Sequence, residues 1–240
     1  MAISFSVLSC LGSYLMLSKI FSNLENQLYE RCRIEALTGA RAMSDIITFM
    51  IEHGMLTREA AFDTNYREIP GTNPKQYHTR YDTVFDRWIK DIQDQFLQDE
   101  DVEYAILFDN NGYVPTHNSR YAAPPTGDYV HDLAQSRSKR IYSSFEGINA
   151  ILKYQGEGIA KELYVRDTGE TIWNIGAPVV VDGKRWGSFI IGVSLVRIKA
   201  IKNQMLVIII ITMSVILVMT NLIILLMIPR HYVSQIAREE

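Results

Sequence analysis

Hydrophobic residues run along this chain in three rhythms. Met1–Ser18 and Met205–Ile228 are apolar stretches without a charged side chain. A run of about 18 residues or more is long enough to cross a bilayer's hydrocarbon as a helix. Lys19 follows the first, and Pro229-Arg230 closes the second with a helix breaker and an interfacial charge. From Phe21 the apolar positions Leu24, Leu28, Ile34, Leu37, Met43, Ile46, Ile47, Met50 and Ile51 recur mostly at steps of three and four, the helical period, until Gly54. One long helix is therefore expected to lead from the first span into the middle of the chain. A secretory signal peptide would want a basic start and a small-x-small cleavage site. Neither is evident, so a retained anchor is the better expectation.

The middle changes rhythm twice. Pro70-Gly71 and Asn73-Pro74 mark an ordered loop. Asp82–Leu97 returns to the helical period through Val84, Phe85, Trp88, Ile89, Ile92 and Phe96. From Val102 the alternation becomes that of strands. Val102–Phe108, an Asn-Asn-Gly turn and Tyr113–Thr116 read as one hairpin; Glu162–Arg166, Asp167-Thr168-Gly169 and Thr171–Val181 as a second; Asp182-Gly183 then leads to Arg185–Ser194. About five antiparallel strands with a helix laid on one sheet face make an α+β arrangement. The last strand continues with little interruption through Leu195–Gln204 into the second span.

A formal charge of -3 gives no reason to expect nucleic acid as a partner. Cys10 and Cys32 would stand about 33 Å apart on one helix, too far to bridge within a chain. Cys32 has two fates open to it, a bridge between parallel subunits or a buried thiol. The acidic run Asp99, Glu100, Asp101 lacks the glycine and spacing of a calcium loop.

The segment between the strand pairs is cationic: Tyr113, His117, Asn118, Arg120, His131, Arg137, Lys139 and Arg140 meet chiefly Asp128 and Asp132. An arginine fork matches a carboxylate, so a small organic anion is the ligand class such a segment suits. The alternative is a solvated surface loop. Leu163 and Val165 fall on one strand face, Tyr164 and Arg166 on the other, and that second face is the candidate pocket lining. Trp173 is a candidate aromatic wall; Trp186 reads as core. His117 also admits an axial role to a non-covalent haem b, there being no C-x-x-C-H motif. No catalytic motif or metal-spaced cysteine set occurs, so the expectation is a binding module, not an enzyme.

IPGTNPKQYHTRYD, YAILFDNNGYVPTHNSRY, SRSKRIY, YVRDTGE and RWGSF together make Ala61–Val193 resemble the single-Cache, PAS-like extracytoplasmic sensor region of bacterial methyl-accepting chemotaxis proteins. The resemblance implies a homodimer that binds a small molecule outside the cytoplasm and signals through a HAMP helix bundle to a cytoplasmic domain. It does not supply the ligand. Basic residues crowd the middle segment's side of both spans, but large domains translocate largely regardless of charge. The expected organisation is a transmembrane helix at 1–21, a periplasmic sensor domain at 22–204 held by an inner-membrane anchor, a second transmembrane helix at 205–228 and the start of a HAMP-like helix at 229–240. The partners expected are membrane lipid, a small-molecule ligand, a second copy and a signalling domain missing from this chain. Either the chain is part of a longer receptor or it acts through a partner. Rival expectations are a histidine kinase or cyclase sensor on the same fold, a haem or redox sensor, and a membrane interaction module that ligates nothing.

Overall fold

The computed structural model describes residues 2–156 and 158–227. In chain order the elements are α1 (Ala2–Glu52), α2 (Arg58–Ala61), β1 (Arg67–Glu68), β2 (Tyr77–His78), α3 (Asp82–Trp88), α4 (Lys90–Gln95), a 3-10 turn (Phe96–Gln98), β3 (Val102–Asp109), β4 (Tyr113–Val114), a 3-10 turn (Ser119–Tyr121), α5 (Tyr129–Gln135), β5 (Arg140–Ile141), α6 (Glu146–Lys153), β6 (Ala160–Val165), β7 (Thr171–Val181), β8 (Lys184–Ser194) and α7 (Leu195–Met227). They form two units, Tyr29–Arg197 and the pair of segments Met1–Leu28 and Ile198–Glu240.

The Tyr29–Arg197 unit mixes helices with a four-stranded antiparallel sheet of order β3-β8-β7-β6. The two C-terminal hairpins stand as their turn residues predict. Asp182 and Gly183 both take positive φ, 51° and 72°, the backbone of a tight two-residue hairpin turn.

The first hairpin is a correction. β3 does not pair with β4, which instead forms a two-stranded ribbon with β5, Tyr113 opposite Ile141. The Asp109 carboxylate accepts the N–H groups of Asn111 and Tyr113 at 2.9 and 2.8 Å and turns the chain away from the sheet. The edge of β3 is then closed by side chains. Gln93 accepts from the Leu107 N–H at 2.8 Å and Asn118 from the Ala105 N–H at 2.9 Å, both from wholly buried positions. These amides satisfy donors that a partner strand would have taken, and they keep the edge from pairing with another chain. The expected helix Asp82–Leu97 divides into α3, α4 and a 3-10 turn, and α5 and α6 form inside the stretch expected to be loop.

The sheet has two buried faces. Ala105, Leu107, Phe189, Ile191, Ile175 and Ala177 share one by register. Against it lies the stripe Cys32, Ala36, Met43, Ile47 and Met50 of α1, every member buried. At Gly39 a Cβ would come within 2.1 Å of the Phe189 ring, so only glycine lets helix and sheet meet this closely. Cys32 is free and buried, its thiol pushed up to about 12 by burial and then by Glu35. The other face gathers Tyr104, Ile106, Phe108, Ile190, Ile172 and Tyr164 under Ile148 and Ile151 of α6, with Val114 and Tyr142 beside them.

In the second unit, Ala200–Leu226 is a 27-residue stretch of helix long and apolar enough to cross a membrane, the one such stretch among the described residues. Thr212, Ser214, Thr220 and Asn221 donate to the carbonyl four residues back, at 2.7 to 2.8 Å. The hydroxyl protons of the three and one amide N–H of Asn221 are thereby satisfied within the helix, which lowers the cost of carrying them through hydrocarbon. The expected first span is helical from Ala2, but the side chains of residues 2–7, 9 and 10 lie outside the description, as does the expected HAMP-like start at 229–240. β8 passes into α7 with no loop residue between Ser194 and Leu195.

Candidate ligand site

Register places Tyr104, Gly192 and Asn174 in one row across β3, β8 and β7. A Cβ on Gly192 would stand 2.4 Å from Tyr104 Cζ, so the glycine leaves room for the tyrosine ring to cross β8. Its hydroxyl then donates to Asn174 Oδ1. His117, carried just beyond β4, sets its ring edge-on to Tyr104 and Tyr121 with centroids 5.9 and 5.1 Å away. Tyr104, His117, Arg137, Tyr142 and Tyr164, closed by Ile106, Phe108 and Ile148, line a cavity of about 10 Å³, room for about one water.

Three arginines surround this row. Arg137 and Arg140 are buried, and each donates at 2.7 Å to a different oxygen of Asp167. Both lie over the Tyr142 ring, 5.4 and 5.0 Å from its centroid. Arg166, also buried, bonds Glu170 at 2.5 Å, stands 3.9 Å from Glu103 and lies 4.9 Å over the Tyr121 ring. Burial works against the Arg137 charge, but Tyr142 and Asp167 more than offset it. Asp167 is likewise opposed by burial, and the two arginines hold its carboxyl below the usual carboxylate range. Burial, then Arg137, Arg166 and Arg140, drive the His117 imidazole well below its ordinary value, so it is neutral near pH 7.

Four buried polar atoms here have no hydrogen-bond partner: His117 Nδ1, Tyr164 Oη, Arg166 Nε and Asn174 Nδ2. Such groups cost about 1–3 kcal/mol each when left unpaired and so mark where something else belongs. Arg166 Nε and Asn174 Nδ2 can only donate, and Tyr164 and His117 can donate or accept. The set therefore suits an acceptor-rich partner.

The expected site residues divide. His117, Arg137 and Tyr164 line the cavity, and Arg140 and Arg166 adjoin it. Tyr113 and Lys139 do not: Tyr113 Oη donates to Asp82 at 2.9 Å, and Lys139 pairs with Asp86 at 2.8 Å and Asp82 at 3.5 Å. Lys139 takes a left-handed backbone, φ 64°, which separates its course from that of its arginine neighbours. Trp173 sits one residue before Asn174 and so projects from the opposite sheet face, where the Lys161 ammonium rests 3.7 Å from its ring centroid. Trp186 is core, its Nε1 donating to the Ala61 carbonyl at 2.7 Å. Asn174, Tyr142 and Asp167 were not anticipated, and Tyr104 was visible only as one of the alternating positions of β3. The cavity beside His117 is about 10 Å³, and among the described residues no group of His, Cys, Asp and Glu is arranged to hold a metal ion.

No protein-family model matches the sequence, and no curated protein matches it. Solved structures similar to it include the Vibrio cholerae histidine kinase DctB sensor domain, at 10% identity over 80% of this chain and 59% of that one, with a TM-score of 0.47. The Campylobacter jejuni chemoreceptor Tlp3 ligand-binding domain, in complex with 4-methylisoleucine, shares 13% identity over 81% of this chain and 62% of that one, TM-score 0.47. The Escherichia coli DcuS sensor domain shares 15% over 64% of this chain and 98% of that one, TM-score 0.35. The chain spans about three fifths of the length of the first two. Of these, one is a histidine kinase sensor domain, one a chemoreceptor ligand-binding domain and one the DcuS sensor domain.

Proposed function

We propose that this chain is the sensing region of a bacterial transmembrane receptor of the chemotaxis type, binding a small anionic molecule outside the cytoplasm and passing a conformational signal through α7. The observation that carries the proposal is the set of three buried arginines and four unpartnered polar atoms, of which Arg137, His117 and Tyr164 line one cavity. Arg137 and Arg166 supply the charge, Tyr164 and Asn174 the neutral donors, and Ile106, Phe108 and Ile148 an apolar floor. The chain's role is binding without catalysis. Two passes through the inner membrane anchor it, a second copy pairs with it, and a cytoplasmic signalling domain reads it. Ligand moves the equilibrium only by binding two sheet geometries unequally. The pairing of β7 with β8 and the direct passage of β8 into α7 offer the route.

The test uses the full chain in lipid nanodiscs, melted in the presence of organic acids, amino acids and purines. At least one carboxylate should raise the melting temperature, with about 2.7 kcal/mol gained at a hundredfold excess over its Kd. Arg137→Ala and Arg166→Ala should abolish the gain. No stabilisation by any anion would defeat the assignment and favour the interaction module that ligates nothing, a reading supported by the small volume of the cavity.

A further inference from the structure

Asp167 has a role beyond marking a turn. Its carboxylate is the only acid bonded to Arg137 and Arg140 among the described residues, and it serves one arginine with each oxygen. The same two guanidinium groups are bonded to no other carboxylate among the described residues; their further partners are neutral, the Leu133 carbonyl, which accepts from Arg137 at 2.8 Å and from Arg140 at 3.4 Å, and the aromatic face of Tyr142. The turn that carries Asp167 closes on itself, the Gly169 N–H bonding the Arg166 carbonyl at 2.9 Å and the Arg166 N–H the Glu170 carbonyl at 2.8 Å. Thr168, Gly169 and Glu170 are exposed, and Glu170 bonds only within the hairpin, to Arg166. Beyond Arg166, which stands 3.9 Å from Glu103 and over the Tyr121 ring, Asp167 makes the turn's side-chain bonds to the rest of the domain among the described residues.

We propose that Asp167 is a tethered anion: it occupies the arginine pair that a soluble carboxylate would take, and the β6–β7 turn is a latch that such a carboxylate releases by exchange. This rests on the reading above that the arginine cluster takes an anion. Three observations meet in it. The cavity as it stands holds about one water, so a larger ligand needs a wall to move, and Arg137, a wall residue, is the one Asp167 grips. Exchange of one carboxylate for another leaves neither buried arginine unpaired, the arrangement that would otherwise be most costly. The turn also lies beside the output end of the sheet: β7 begins at Thr171, and Ile172 pairs with Ser194, the last residue of β8 before α7. Freeing Asp167 loosens the hairpin five residues before Ile172, the strand residue of that pair. An internal competitor also lowers the apparent affinity for the soluble one by the fraction of time it holds the site.

The experiment compares wild-type chain with Asp167→Asn in nanodiscs, using acetate and pyruvate as probes and reading both affinity and hydrogen exchange at residues 166–171. Asp167→Asn keeps the shape and removes the charge. It should bind acetate or pyruvate at least tenfold more tightly, and its turn should exchange rapidly without either. In the wild type, saturating acetate or pyruvate should raise exchange of the turn toward the variant's rate, a measurement that needs no variant to fold. Arg137-dependent binding with equal or weaker affinity in Asp167→Asn, or a wild-type turn equally or better protected with the probe bound, would overturn the latch and leave the anion site standing. Binding of neither probe by either protein would overturn both.

Discussion

The two faces of the central sheet solve opposite problems. On the α1 face the buried side chains at the centre are apolar, with Lys161 toward one edge over Trp173 and Tyr29, and Gly39 brings the helix hard against Phe189, so the contact there is close. On the α6 face the same strands present Tyr104, Asn174 and Tyr164 beside buried arginines, and four polar atoms go without partners. One-residue alternation separates the two, as Trp173 and Asn174 show. The difference teaches that close apolar packing and a buried polar cluster can be housed on one sheet, provided the glycines fall where each face needs a close approach.

Substitutions can break that division. Phe189→Ala should be the most damaging, costing about 3–5 kcal/mol in a chemical denaturation curve, because it opens a cavity on the face that carries the packing. Gly192→Ala should cost less, about 1–3 kcal/mol, but should erase carboxylate stabilisation in the thermal assay by driving Tyr104 off Asn174. A Gly192→Ala protein with a wild-type response would show that the tyrosine row has no part in binding. Gln93→Ala strands the buried Leu107 N–H and also the Thr116 carbonyl, which accepts from Gln93 Nε2 at 3.1 Å one residue before His117, and should lose about 1–3 kcal/mol together with part of the response.

The smallest effect is a pair of opposite pH dependences. Asp167 is depressed by its arginines, so its contribution is present above the unfolded value of about 3.9 and is lost as pH falls through the lower folded value. The advantage of wild type over Asp167→Asn should be full near neutrality and shrink in acid. Glu35, on α1, is raised to about 7 by burial and then by Asp99, so the folded protein holds a proton that the unfolded chain has already released. Its contribution weakens as pH rises from about 4.5 to 7, and Glu35→Gln should be the more stable protein above that range, by less than about 1 kcal/mol, with no difference in acid. Urea titrations between pH 4 and 8 check both signs.

Much of the α1 face was legible in the sequence, because helical period and strand alternation are local and Phe189, Ile191 and Val193 announce a buried strand by themselves. The face of β6 carrying Tyr164 was legible for the same reason. What escaped was set by contacts distant along the chain. Nothing near Val102–Asp109 says that its edge will be closed by Gln93 and Asn118, so the Asn-Asn-Gly turn was read as joining two paired strands. Asp167 looked like a turn residue, which it is; its bonds to Arg137 and Arg140 join positions 30 and 27 residues apart and leave no local trace. α6 is short, with Gly147 in its first turn and no side-chain cap, so it gave little warning of itself. Tyr113 and Lys139 were drawn into the expected site by sequence neighbourhood alone.

The self-satisfied hydroxyls and amide of α7 carry one more implication. With the hydroxyls of Thr212, Ser214 and Thr220 folded back onto their own backbone, those positions offer a neighbour no free O–H, while Asn221 spends one amide N–H this way and has its second N–H and carbonyl oxygen outside that bond. Such a helix can slide or swivel against a neighbour without first surrendering bonds from those three hydroxyls, which leaves Asn221 as the position where a polar grip would be felt.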